Sequence, residues 1–163
     1  MLKIDFMDAA AQKILSRLRN QCSRREYCTS DVLEKAMKAL DGDGSAAAEV
    51  VASLKADKYV DDRRYCSAYA REKAAISGWG EVKIRYMLSH KGIACEDIDA
   101  GLAEIDCVGA EARLEKLLSV KMKALGDDPQ RKLKLLRFAL GRGYRYEEVS
   151  AALNRLERKV TED

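Results

Sequence analysis

The sequence contains few of the residues that interrupt helices. Its 163 residues include 10 glycines and a single proline, Pro129, whereas alanine, leucine, glutamate, lysine and arginine dominate. These five residue types favour helices, and no segment alternates polar and apolar residues for the length of a half-buried strand. The composition therefore predicts an all-α fold and argues against a fold rich in strands.

The chain also has little of what metal sites, disulfide frameworks and catalytic centres require. His90 is the only histidine, the five cysteines are odd in number, and no C-x-x-C pair occurs, so zinc coordination and a disulfide framework are both disfavoured. Neither H-E-x-x-H nor G-x-S-x-G is present, and there is no Ser/His/Asp order. We therefore expect no metal, no cofactor and no catalytic residues, which predicts that the protein is not an enzyme.

Long apolar runs are missing as well. No stretch approaches the roughly 20 apolar residues needed to cross a bilayer, and "MLKIDFMDAAAQKI" at the N-terminus lacks the apolar core of a signal peptide. Hydrophobic residues make up 47% and charged residues 35%, so the chain can bury a core beneath a charged exterior. We expect a soluble, cytoplasmic protein with no membrane partner. Its net charge of +3 permits contact with nucleic acid or an acidic protein without requiring either.

What the sequence does contain is a series of short amphipathic segments. Turn residues separate them, in "DGDG", "SGWG", "KG", "GDDP" and "GRG". Between these turns the apolar residues recur at helical spacing, as Ala10, Ile14 and Leu18 do in the first segment. The pattern predicts nine helices, near residues 8–21, 29–40, 45–57, 61–76, 80–90, 95–105, 109–125, 128–141 and 146–160.

The segments also repeat in groups of three. "IRYMLSHKGIACEDIDAGLAEI" (84–105) aligns with "LLRFALGRGYRYEEVSAALNRL" (135–156) at a shift of 51 residues, and a weaker copy lies 48 residues upstream. A period of about 50 residues indicates tandem modules, each a helix pair joined by a turn with a third helix leading in. We predict three three-helix repeats, at 1–57, 58–107 and 108–163, that form an elongated, curved array.

Two short motifs each have a metal-binding interpretation and a structural one. "YVDD" (59–62) presents two adjacent carboxylates, as the metal-binding hairpins of some polymerases do, but it precedes a helical pattern in which Asp61 and Asp62 could accept hydrogen bonds from unpaired backbone N–H groups. "DGDGS" (41–45) begins like a calcium loop, yet Ala46 and Ala52 replace the required glycine and glutamate. We interpret the first motif as a helix start and the second as a turn between helices.

Basic residues recur on the middle helices of the second and third repeats and on the turns that follow. They are Lys83, Arg85, Lys91, Arg131, Lys132, Lys134, Arg137, Arg142 and Arg145. Such cations could meet phosphates or an acidic protein surface, or they could simply form solvated faces. The residues alone leave both interpretations open.

The stretch "YVDDRRYCSAYAREKAAISGWGEVKIRYMLSHKGI" (59–93) resembles the signature of the RecX regulatory proteins. It shares a hydrophobic–Asp–Asp opening with an arginine and an aromatic residue, a further exposed arginine, a G-x-G turn, a basic "KIR" and a closing Lys-Gly-Ile. The upstream "CSRREYCTSDVLEKAMKAL" is similar to the first module of that family. The turn "DGDGS" and the third repeat depart most from the family's pattern.

The resemblance implies a function as well as three tandem three-helix modules. It implies a non-enzymatic modulator of the RecA recombinase that lies in the groove of the RecA filament and inhibits its ATPase and strand exchange, in DNA repair, recombination and the SOS response. The implied partners are the RecA filament and the single-stranded DNA within it, and we expect a monomer. Matched by position, the implied contact residues are Arg63, Arg64, Arg71, Lys73, Trp79, Lys83, Arg85 and Lys91, with Trp79 and Gly80 shaping the turn.

Two other functions remain open from the residues. One is a sequence-tolerant nucleic-acid-binding protein that uses its repeated cationic helices directly. The other is a helical scaffold that binds an unrelated acidic partner.

Overall fold

The computed structural model describes residues 7–162, and over this range it contains nine α-helices and no strand. The helices are α1 (Ala9–Arg24), α2 (Thr29–Ala39), α3 (Gly44–Ala56), α4 (Asp62–Ala75), α5 (Glu81–His90), α6 (Cys95–Ala103), α7 (Cys107–Leu125), α8 (Arg131–Gly141) and α9 (Tyr146–Glu162). The predicted all-α fold is confirmed, and each predicted helix is present with its ends displaced by a few residues at most.

Aspartates begin four of the helices. Asp8, Asp43, Asp61 and Asp106 each stand immediately before a helix, and each carboxylate accepts a hydrogen bond from the backbone N–H three residues later. These bonds satisfy amides that have no partner within the helix. Asp43 belongs to "DGDGS", so this segment is a turn leading into α3, as the sequence predicted.

Each group of three helices encloses its own core. Every pair of helices in extensive contact lies within α1–α3, α4–α6 or α7–α9. The central buried side chains are Leu18, Val50 and Leu54 in the first group, Ile84, Leu88 and Ile98 in the second, and Leu118, Leu135 and Val149 in the third. The grouping agrees with three tandem repeats, while the boundaries predicted at 57/58 and 107/108 remain a proposal.

The first two modules exchange residues across their boundary. Cys28, which immediately precedes α2, is buried in the core of the second module, and Val60, which precedes α4, is buried in the core of the first. The Arg64 guanidinium donates to the backbone carbonyls of Lys58 and Tyr59 in the connecting segment. The connection between α3 and α4 is therefore held by both modules.

Asp62 contributes to the same junction, although the sequence predicted that it would cap the helix it begins. Asp61 caps α4 as predicted, because its carboxylate accepts from the Arg64 N–H at 3.0 Å. The Asp62 carboxylate instead accepts from the N–H of Thr29, the first residue of α2, at 2.7 Å. Asp62 therefore caps a helix of the preceding module, 33 residues away in sequence.

The two junctions between modules use equivalent parts of the repeat. At the first, Lys91 in the turn after α5 forms an ion pair with Asp31 in the first turn of α2, at 2.8 Å. At the second, the N–H of Gly80, just before α5, donates to the carbonyl of Arg142 in the turn after α8, at 2.8 Å. Lys91 and Arg142 occupy matching positions in the repeat, so the beginning of one middle helix meets the turn of the next module at both junctions.

The array exposes more surface than a compact domain of its size. The accessible surface is 10619 Å² for a chain of 18.2 kDa, whereas a compact monomer of that mass exposes roughly 8,100 Å². A chain that buries its apolar residues in three small cores rather than in one large core exposes more surface for its mass. None of the helices in the described part of the chain is both long and apolar enough to span a membrane.

Candidate functional site

Aromatic rings and cationic side chains alternate along a surface formed by the first two modules. Tyr65 and Tyr69 stack one turn apart on α4, with ring centroids 5.7 Å apart, and Lys73 continues the row one turn later, 5.4 Å from the Tyr69 ring. Spacing by four residues places all three on one helical face. We define the cation–aromatic stripe as Arg25, Tyr27, Lys35, Tyr65, Tyr69, Lys73, Trp79 and Lys83.

One end of the stripe is a tryptophan between two lysines. The Nζ of Lys83 lies 4.4 Å from the Trp79 ring centroid and the Nζ of Lys73 lies 5.3 Å from it. The turn after α4 places the ring there, since the Trp79 N–H donates to the carbonyl of Lys73 at 3.0 Å. Trp79 is half-buried and packs against the second core, so the ring has a fixed position while part of its surface remains accessible.

The other end of the stripe is a tyrosine between an arginine and a lysine. The guanidinium of Arg25 lies 4.7 Å from the Tyr27 ring centroid, and the Nζ of Lys35 lies 5.2 Å from it. Two shallow cavities of ≈ 380 and ≈ 410 Å³ connect this end to α4, because Arg25 and Tyr65 line both. The stripe is therefore continuous across the junction of the first two modules.

The carboxylates that line these cavities are all paired with cations. The pairs are Glu26 with Arg64 at 2.7 Å, Asp31 with Lys91 at 2.8 Å, Glu34 with Lys38 at 2.6 Å, and Glu72 with Lys73 at 3.4 Å. Three of the four pairs use a cation outside the stripe. None of these ion pairs uses Arg25, Lys35 or Lys83. These three side chains face solvent or aromatic rings, so their charges are available to an anionic ligand.

Burial and hydrogen bonding set the protonation of groups along the stripe. Burial raises the pKa of Tyr65 to about 12 and also raises the pKa of Tyr69, so both phenols are protonated donors at neutral pH. Burial alone would lower the pKa of Lys91, but its hydrogen bond to Asp31 and the electrostatic effects of Tyr65, Asp31 and Cys28 together outweigh burial, and the net shift is upward. Lys91 is therefore a permanent cation tied to Asp31.

The structure brings three of the eight predicted contact residues together. Lys73, Trp79 and Lys83 form one end of the stripe. Three others are engaged within the chain, and their partners are Glu26 for Arg64, Asp99 for Arg85 and Asp31 for Lys91, each at 2.6–2.8 Å. An internal carboxylate satisfies each of these three cations, which makes them weaker candidates for contact with a partner.

The remaining two predicted residues lie off the stripe. Arg63 is exposed in the first turn of α4. Arg71 faces Glu104, the residue after α6, at 3.9 Å, and the side chains of Arg71 and Glu104 are both mostly exposed. Neither is among the cations stacked on rings within residues 7–162. A contact role for the eight residues remains a prediction.

Sequence reasoning missed the other five members of the stripe. Tyr65 is buried in the second core, whereas Tyr69 is only partly buried against it. The signal that could have revealed them is the series Tyr65, Tyr69, Lys73 at intervals of four. Arg25, Tyr27 and Lys35 join the stripe only through the packing of the first module on the second, which no local pattern indicates.

The described residues do not gather into a metal site. Within residues 7–162 no group of three histidine, cysteine, aspartate or glutamate side chains is arranged to hold an ion. The five cysteines are free thiols, of which Cys22, Cys28 and Cys66 are buried. Burial raises the pKa of Cys66 to about 12, so this thiol is protonated and unreactive at neutral pH.

Comparison with known proteins places five of the eight residues of the cation–aromatic stripe within a recognised module. The family description "RecX, second three-helix domain" matches residues 61–102, which hold Tyr65, Tyr69, Lys73, Trp79 and Lys83. The chain is 30% identical over 118 residues to the regulatory protein RecX of Clostridium tetani, covering 70% of this chain and 54% of that protein. It is 32% identical over 114 residues to the regulatory protein RecX of Clostridium acetobutylicum, covering 66% and 52%. The chain thus spans about half the length of the curated relatives it matches.

Solved structures show the same fold. The crystal structure of RecX from Lactobacillus salivarius superposes with a TM-score of 0.79 at 19% identity, covering 91% of this chain and 97% of that one. A second crystal structure of a regulatory protein RecX gives a TM-score of 0.78 at 21% identity, covering 89% and 72%. From the matched second domain, the related sequences and the shared three-module fold, we conclude that this chain belongs to the RecX family of regulatory proteins.

Proposed function

We propose that this chain regulates the RecA recombinase by lying in the groove of the RecA filament on single-stranded DNA. In this position it restrains ATP hydrolysis and strand exchange without catalysing a reaction itself. The observation that carries the proposal beyond family membership is the cation–aromatic stripe, which crosses the junction of two modules and so presents a continuous recognition surface rather than a pocket.

The chemistry of the stripe suits a surface that includes phosphates. Lysine and arginine side chains attract phosphates at long range and release counterions on contact, while aromatic faces accept bases or apolar side chains without sequence preference. Lys73, Trp79 and Lys83 combine both properties at one end of the stripe. A RecA filament presents both a protein surface and a DNA backbone along its groove, so an elongated array can follow it over several contacts.

The test is RecA ATPase activity on single-stranded DNA with sub-stoichiometric amounts of the protein. We expect inhibition at ratios well below one protein per RecA monomer, because a protein that blocks the groove or ends of a filament affects many subunits. Simple competition for DNA would require amounts comparable to the DNA sites. Absence of inhibition even at a molar excess would contradict the proposal.

Variants assign the effect to the stripe. Lys73→Ala with Lys83→Ala removes both cations beside Trp79 but keeps the Cβ of Lys83, which packs against Gly143. Lys13→Ala with Lys55→Ala is the matched control, since it removes two exposed cations of α1 and α3 outside the stripe. We expect the first pair to weaken inhibition about tenfold and the second pair to leave it unchanged. Equal inhibition by both double variants would place the contact surface elsewhere.

A second candidate function is direct, sequence-tolerant binding of single-stranded DNA, which the same pairing of rings and cations favours. Trp79 is the only tryptophan, so its fluorescence reports on this site. Binding of an oligothymidylate without RecA should quench Trp79 and weaken steeply with salt. Quenching with no effect on RecA ATPase supports the second candidate, whereas RecA inhibition without quenching by free DNA supports the first.

A further inference from the structure

A second surface lies between the second and third modules and has no part in the proposed function. It is a groove of ≈ 530 Å³ bounded by the end of α4 and its following turn on one side and by α7 and α8 on the other. We name it the α4–α7–α8 groove. Its main apolar side chains are Ile76, Leu117, Val120 and Phe138, and its cations are Arg113, Lys116, Lys121 and Arg142.

The apolar part of the groove is unusually open to solvent. Ile76 is 81% exposed and Val120 is 63% exposed, and Leu117 and Phe138, both partly buried, complete the lining. A single exposed apolar residue needs no explanation, but a contiguous set within a concave surface marks a place where another molecule binds.

The charge of the groove has one sign. No residue that lines it carries a carboxylate, and all four ionisable members are lysine or arginine. Lys121 and Arg142 lie 5.4 and 5.2 Å from the Phe138 ring centroid. The Arg142 guanidinium also donates to the carbonyl of Ser77 at 2.7 Å, which fixes it at the edge of the groove. The occupant must therefore bring both apolar side chains and negative charge.

We propose that the α4–α7–α8 groove binds an acidic amphipathic segment of a partner protein. The apolar side chains of the segment cover Ile76 and Val120, and its carboxylates meet Lys116 and Arg113 on α7. An amphipathic helix supplies both features, with apolar residues at intervals of three and four and acids beside them.

Two other occupants fit the groove less well. Nucleic acid has the charge, but the open part of the groove is aliphatic, and its lining holds one aromatic ring, Phe138, so successive bases have no series of rings to stack on. A second copy of this chain carries a net charge of +3, so two copies repel each other. Contacts from the exposed acids of the second copy would have to overcome this repulsion. A protein segment with both acids and aliphatic residues meets neither difficulty.

The test is fluorescence anisotropy with the full chain and a labelled probe peptide. The probe is an amphipathic helix of about four turns, with leucines along one face and glutamates elsewhere. A peptide of the same composition with the leucines scattered is the first control, polyglutamate is the second, and an oligothymidylate is the third. We expect the amphipathic probe to bind at least about tenfold more tightly than the scattered peptide and polyglutamate.

Matched variants locate the binding site. Ile76→Ser with Val120→Ser removes the exposed apolar contacts, and Val160→Ser is its control, because Val160 is 67% exposed at the far end of α9. Lys116→Glu reverses a charge in the groove, and Lys123→Glu reverses an exposed charge on the same helix outside it. Ile76→Ser/Val120→Ser and Lys116→Glu should each weaken probe binding about tenfold or more, and both controls should leave it unchanged.

Three other results would each overturn the proposal. Equal binding of the amphipathic and scattered peptides makes the groove a non-specific anion surface. Tight binding of the oligothymidylate that Lys116→Glu abolishes identifies nucleic acid as the occupant. Self-association that Val120→Ser abolishes, measured by sedimentation, identifies a second copy of this chain as the occupant.

Thermal unfolding of every variant shows whether it is folded. Ile76→Ser and Val120→Ser are at exposed positions and should leave the unfolding midpoint unchanged.

Discussion

Asp62 stabilises a helix to which it does not belong. Its carboxylate accepts from the N–H of Thr29, while the neighbouring Asp61 accepts from the N–H of Arg64 in its own helix. The residue before α2 is Cys28, whose side chain makes no capping hydrogen bond to that helix. The module that follows therefore supplies the cap that α2 lacks locally, and this couples the folding of the first two modules.

Replacing either aspartate should remove a cap, but at a different helix. We expect Asp62→Ala and Asp61→Ala each to lower the free energy of unfolding by about 0.5–2 kcal/mol. Amide hydrogen exchange separates the two: Asp62→Ala should accelerate exchange at Thr29, and Asp61→Ala should accelerate it at Arg64. Faster exchange at Arg64 and unchanged exchange at Thr29 in Asp62→Ala would show that Asp62 does not cap α2.

The Asp31–Lys91 ion pair joins the same two modules and makes their stability depend on pH. Burial alone would raise the pKa of Asp31, but hydrogen bonds from Lys91 and Cys28 bring it below the ordinary value. A carboxylate with a lower pKa in the folded state stabilises that state above the pKa of the unfolded chain, which is about 3.9. That stabilisation is lost as the pH falls through the folded-state pKa.

We therefore predict that acid lowers the stability of the fold and that this loss requires both Asp31 and Lys91. Denaturant unfolding between pH 3 and pH 7 should show stability falling below about pH 4. Asp31→Asn should make this fall shallower, and at pH 7 a double-mutant cycle with Lys91→Met should give a coupling of about 1 kcal/mol. An identical pH profile for the wild type and Asp31→Asn would mean that the pair does not link pH to folding.

At the residue scale, sequence predicts local partners and misses distant ones. Asp61 was assigned correctly because the amide it caps lies three residues away. The partners of Asp62, Arg64 and Lys91 lie 33, 38 and 60 residues away, and only the packing of modules brings them together. For the same reason, Arg64 and Lys91 were expected on an open contact surface although both are engaged within the chain.

At the scale of elements, two glycine turns with the same place in the repeat have different surroundings. Gly92 follows α5 with φ +70° and has open space where a Cβ would stand. Gly143 follows α8 with φ +91°, and a Cβ there would lie 2.5 Å from the backbone nitrogen of Lys83. Both positions favour glycine by conformation, but only Gly143 also allows two backbones to touch.

This difference predicts unequal costs for the same substitution. Gly92→Ala should lower the free energy of unfolding by about 1–2 kcal/mol, the cost of a left-handed residue with a Cβ. Gly143→Ala should cost at least about 2 kcal/mol more, because it also separates α5 from the α8–α9 turn and breaks the bond from the Val82 N–H to the Gly143 carbonyl. Equal costs in equilibrium unfolding would show that the backbone contact contributes nothing.

The helices themselves could be predicted, and their mutual contacts could not. Their starts follow from caps such as Asp8 and Asp43 and their extents from apolar spacing, both of which are local. The repeat also predicted three modules. The cation–aromatic stripe and the α4–α7–α8 groove each combine residues of two modules. Apart from the series Tyr65, Tyr69, Lys73, their members share no spacing rule, and the repeat gives no measure of the angle at which one module meets the next.

At the scale of the whole molecule, three small cores in a row should give an extended particle. Each core draws almost entirely on its own three helices, with exchanges such as Cys28 and Val60 at the first junction. The accessible surface exceeds the compact expectation by about 30%. Surface of this extent is what a protein needs to contact a long partner at several points.

Small-angle scattering tests this shape directly. A compact chain of this length has a radius of gyration of roughly 15 Å, and we expect a value larger by at least about 3 Å, because mass arranged in a row lies farther from its centre than the same mass in a sphere. Measurement over a dilution series controls for association, since a dimer would raise both the radius and the scattering mass, whereas an elongated monomer raises only the radius. A radius near the compact estimate at monomer mass would mean that the modules fold back on one another in solution, and the cation–aromatic stripe could then not follow a filament groove along the length proposed here.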